Sequence, residues 1–105
     1  MNKWFLSLVI LAVVFEVVAD ILFKYWIINT RNIFLWGGVA LYSVGTIIWA
    51  FSLKHEYLSK AITVFTVLNL IAVVLAGLLI FNEHLSLVNK FGILLGIVSV
   101  ILIQL

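Results

Sequence analysis

The sequence predicts an all-α membrane protein, a single domain over residues 1–105 built as a bundle of four transmembrane helices. Hydrophobic residues make up 67% of the chain and charged ones 10%, whereas a soluble domain has about half and about a quarter. The apolar residues gather in four runs, residues 5–26, 33–53, 61–81 and 87–105, joined by short polar connections. None of the runs alternates apolar with polar, so strands are not indicated.

Composition also removes several function classes. Without Cys there is neither a disulfide nor a thiolate metal site. The net charge is +2, and the six basic residues are dispersed rather than patched, which sets nucleic-acid binding aside. No phosphate loop, nucleophile elbow or metalloprotease pattern is present. His55, Glu56, Glu83 and His84 fall in connections, and neither His has a ligand-spaced partner. The sequence therefore implies no enzyme, no cofactor and no bound metal.

The first run begins behind Met1-Asn2-Lys3, which imitates a secretory signal. No small-residue cleavage site follows before the acids, so the segment is expected to be retained. At 1.5 Å per residue its 5–26 core is about 33 Å long, enough to cross a bilayer, with Glu16 near the midplane. Glu16, Asp20 and Lys24 follow at i, i+4 steps and project from nearly one face, about 6 Å apart along the axis. The fourteen Leu, Ile, Val and Phe residues between Phe5 and Phe23 favour insertion by about 4 to 8 kcal/mol, and two charged central carboxylates would cost about 5 to 7 kcal/mol. Terms this close in size predict that the acids are hidden in a bundle interior or aqueous cavity. An acid held there is a functional-site candidate. Asp20 has two readings: an ion pair with Lys24 one turn on, or a second acid facing the site beside Glu16.

The second run carries Gly38, Tyr42, Gly45, Trp49 and Ser52 within an arc of about 80°. Gly38 and Gly45 suit close helix packing, whereas Tyr42 and Trp49 are candidates for walling a cation site. The third run carries Thr63, Thr66 and Asn69 at three-residue steps, a broad polar face that could bond a neighbouring helix or line an aqueous path. The fourth contains Gly92, Gly96 and Ser99, a small-residue seam expected to be a dimerisation face. Proline is absent, so any kink would come from Gly, Ser or Thr. Orientation is balanced: Lys3, Lys54 and Lys60 fall on one side, and Lys24, Arg31 and Lys90 on the other. The count fits insertion both ways round as well as a weak bias.

Phe15-Glu16-Val17-Val18 with the later Lys24 resembles the first helix of the small multidrug resistance family of proton-coupled exporters. Tyr42, Gly92, Ser99 and Glu83-His84-Leu85-Ser86 fall where that family has comparable features, so the resemblance covers essentially the whole chain. It implies a multi-pass protein of the cell inner (plasma) membrane, an antiparallel homodimer of dual topology, whose two Glu16 residues share one site. There they would exchange protons for a small organic cation. On the third helix the family's Tyr-Ala-x-Trp motif is replaced by Ile62-Thr63-Val64-Phe65, which makes Phe65 a further site candidate. Its Gly-x-Gly is replaced by Val67-Leu68-Asn69, its usual loop Pro and Gly are missing around Tyr57-Leu58-Ser59, and Asp20 is an additional acid. The substrate class stays open, with a cation of more than one charge as one option. So do three other roles: a subunit of a lipid-linked sugar flippase, one chain of an obligate heteromeric transporter, and a structural membrane subunit.

Overall fold

The computed structural model describes residues 3–105, apart from the Gln104 side chain. Met1 and Asn2, part of the signal-like start, lie outside the described residues. Four α-helices follow one another: α1 (Lys3–Asn29), α2 (Asn32–Ser52), α3 (Leu58–Ile80) and α4 (Leu87–Gln104), with a single 3-10 turn, Leu53–His55, after α2. The expected runs are α-helical except for Leu53, Phe81 and Leu105 at their ends, α3 begins three residues early at Leu58, and α1 continues past Trp26 to Asn29.

Local chemistry explains the boundaries. Thr30 adopts a left-handed conformation with φ 56°, and its N–H donates to the Trp26 carbonyl at 2.7 Å, closing α1. At the end of α3 the left-handed residue is Asn82, φ 53°, a residue type that tolerates this region. The Ser86 side chain caps α4 by accepting from the Asn89 N–H at 3.1 Å.

Helices α1, α2 and α3 are long and apolar enough to cross a membrane. Helix α4 is shorter, with 18 residues, about 27 Å at 1.5 Å per residue. The bundle is a slab of 43 × 35 × 16 Å. Helix α1 packs along α2 and more lightly along α3, while α4 lies against α3. The buried core joins Phe5, Val9 and Val13 of α1 to Ala61 and Val64 of α3, flanked by Trp49, Phe65 and Leu68. Much apolar surface faces outward, including Ile33, Trp36, Leu94, Leu95 and Leu102. In a bilayer that surface is solvated by lipid, so its exposure carries no penalty.

Candidate functional site

Glycine brings α2 close to α1. A Cβ on Gly38 would collide with the Phe23 ring and stand 3.2 Å from the Ala19 carbonyl oxygen. Seven residues on, a Cβ on Gly45 would stand 3.0 Å from Glu16 Cγ and 3.2 Å from the Ala12 carbonyl oxygen. The two glycines therefore form the packing seam read from the sequence, and Gly45 lies directly against the central acid.

Glu16 is buried, with 6% of its surface exposed. Among the described residues its carboxylate has no hydrogen-bond or ion-pair partner. A buried acid without a partner is costly to charge. Either a proton or a neighbouring cation would relieve that cost.

One turn further on, a groove of about 200 Å³ opens between α1 and α3. Asp20 and Lys24 line one side, Gly77 and Glu83 the other, with Val17, Ile21, Val73, Ala76 and Phe81 as apolar walls. Lys24 Nζ sits 3.7 Å from Glu83 Oε2, both side chains about half exposed. Among the described residues the Asp20–Lys24 pair, one of the two expected arrangements, is absent, because the amine reaches the loop after α3 instead. That loop folds back on its own helix. The Glu83 N–H donates to the Gly77 carbonyl at 3.1 Å, and a side chain on Gly77 would collide with Glu83 Oε1.

A family model described as Small Multidrug Resistance protein matches residues 2–97. The chain belongs to the small multidrug resistance family. Its members are transporters, so this is a multi-pass membrane transporter. Comparison with curated proteins and with solved structures gives no significant match.

Within this small multidrug resistance protein the other expected site residues are dispersed. Trp49 and Phe65 pack against each other with their planes tilted by 43° and ring centroids 4.6 Å apart, so each ring already has an aromatic partner. Tyr42 is 46% exposed at the edge of its stripe. Thr63 donates to the Ser59 carbonyl of its own helix at 2.8 Å, and Thr66 is exposed. Asn69 is different: its Oδ1 is buried with no hydrogen-bond partner. On α4, Gly92 and Gly96 face open space, with nothing within 4 Å of an added Cβ, while the exposed Ser99 hydroxyl turns back to the Leu95 carbonyl at 2.9 Å.

Sequence reasoning placed Glu83 in a connection and gave it no partner. The available signal was Gly77, a small residue at the end of an apolar helix shortly before an acid. No rule of periodicity links that acid to Lys24.

Proposed function

We propose that this transporter exports a small organic cation in exchange for protons, with Glu16 binding the two alternately. The observation that carries the reading is the burial of Glu16, in mid-helix, with no ion-pair or hydrogen-bond partner among the described residues. Its charge is tolerable only beside a cation, and when the cation leaves a proton must take its place. That competition couples the two flows, and alternating access requires two states open to opposite faces.

The working unit in this reading is an antiparallel homodimer in the cell's inner membrane, with chains inserted in both orientations. The balanced basic residues support dual topology. The open ground at Gly92 and Gly96 supports a second copy seated on α4, where small residues allow backbones to approach. Asn69 and the aromatic pair Trp49 and Phe65 would border the shared site.

The deciding experiment is proton-driven uptake of organic cations by proteoliposomes of purified protein. Glu16→Gln keeps the side chain's shape and removes its charge, so it is expected to fold and abolish coupled uptake. Coupled uptake at the wild-type rate by that variant would overturn the reading.

A further inference from the structure

We propose that the groove between α1 and α3 receives the second ammonium group of a linear diamine whose first ammonium is held by Glu16. This inference rests on the reading of Glu16 as the cation site and adds to it a substrate class.

Asp20 is the residue that the export reading leaves without a task. It lines the groove, and among the described residues it has no ion-pair or hydrogen-bond partner. The amine one turn away does not neutralise it, because Lys24 is paired with Glu83. With those two charges offset, the groove retains one negative charge, that of Asp20, and so calls for one cationic group. Glu16, buried and unpartnered a turn earlier on the same helix, calls for another.

Distance and shape restrict what could supply both. Residues four apart on a helix are separated by about 6 Å along the axis and about 40° around it. Two ammonium groups at that spacing are joined by about four methylenes in an extended chain. The apolar walls Val17, Ile21 and Val73 suit such a stem. A hard divalent ion such as Ca²⁺ or Mg²⁺ is poorly served, since it takes six or more oxygen ligands and the groove offers two carboxylates, one of them paired with Lys24. A bulky aromatic cation is poorly served as well: about 200 Å³ lies below the range of roughly 300–1,000 Å³ for drug-sized ligands. The aromatic ring that lines the groove, Phe81, is already packed against Tyr25, ring centroids 5.2 Å apart.

The test is calorimetric titration of the detergent-purified full chain with butylamine and with α,ω-diamines of two to eight methylenes. For the wild type, 1,4-diaminobutane is expected to bind about tenfold or more tightly than butylamine, as a second charge-assisted contact implies, with affinity peaking near four methylenes. Asp20→Asn is expected to erase that ratio. If Asp20→Asn is not monodisperse, Asp20→Glu serves instead; it keeps the charge on a longer stem and should move the preferred diamine by about one methylene. Three results would overturn the proposal: a diamine that binds no tighter than butylamine, an affinity indifferent to chain length, or an Asp20 variant that weakens both ligands equally. Monoamine binding that depends on Glu16, without a diamine advantage, would overturn this inference and leave the export reading standing. No Glu16-dependent binding of any amine would overturn both.

Discussion

Gly45 and Glu16 touch across the α1–α2 seam so closely that a methyl group on Gly45 would stand 3.0 Å from Glu16 Cγ. The same methyl would press on the Ala12 carbonyl at 3.2 Å, and backbone cannot give way as a flexible side chain can. The glycine therefore sets how deeply the acid is buried. Gly45→Ala is expected to part the helices locally and cost about 1–3 kcal/mol of stability. It should also raise the accessibility of Glu16, which reaction of the carboxyl with a water-soluble carbodiimide would report. Unchanged labelling at unchanged stability would mean that α2 does not govern access to Glu16.

Lys24 and Glu83 tie the loop after α3 to α1, but both side chains are about half exposed. Partly exposed pairs contribute little, so a double-mutant cycle over Lys24→Met and Glu83→Gln is expected to give a coupling of about 1 kcal/mol or less. A larger consequence should appear at Gly77, where a side chain would strike Glu83. Gly77→Val is expected to displace the loop and weaken the Lys24–Glu83 coupling to nothing. A coupling that survives Gly77→Val would mean that the loop reaches Lys24 without resting on Gly77.

The helices were legible in the sequence because each run is apolar enough to decide its own environment, and the glycine seam was legible because Gly38 and Gly45 recur on one face. Glu16 could be found for the same reason, since an acid in such a run conflicts with its surroundings. What stayed hidden depends on contacts between distant segments. Thr63 lies on a polar face but satisfies itself within its own turn, an option open to any helical Thr. Trp49 and Phe65 were separate candidates until the fold set one ring against the other. The partner of Lys24 depended on how the chain turns after Phe81, which helix periodicity does not reach.

Gly92 and Gly96 make opposite demands from Gly45, since none of the described residues lies within 4 Å of a Cβ added at either position. Alanine there is expected to leave the protomer intact and to stabilise α4 slightly, by about 0.5–1 kcal/mol. If a second copy sits on this seam, Gly96→Leu should hold two helices apart and shift the protein from dimer to monomer at unchanged helical content. Light scattering of the detergent complex, with circular dichroism, checks both. A dimer that withstands leucine at Gly92 and Gly96 together would move the interface to another face.

Asn69 offers the clearest separation of stability from function. Its Oδ1 is buried without a partner, and an acceptor stranded in an apolar bundle costs about 1–3 kcal/mol. Val73, one turn along the same helix, lines the groove beside Val17, the neighbour of Glu16. Asn69 is thus within about one turn of the level of the central acid. If that oxygen is reserved for a donor arriving with substrate or with the second protomer, its cost in the lone chain is the counterpart of a gain on binding. Asn69→Leu, similar in volume and without the orphaned acceptor, is then expected to raise the thermal midpoint while lowering the affinity for cations that carry N–H groups. Quaternary ammonium ions cannot donate to the amide, so their affinity should change little. Dimerisation measured alongside identifies the donor: weaker self-association would assign it to the second copy, and a selective loss for N–H cations would assign it to the substrate. A variant that is less stable than the wild type would show that Asn69 is satisfied within the folded protein and that the orphaned oxygen carries no function.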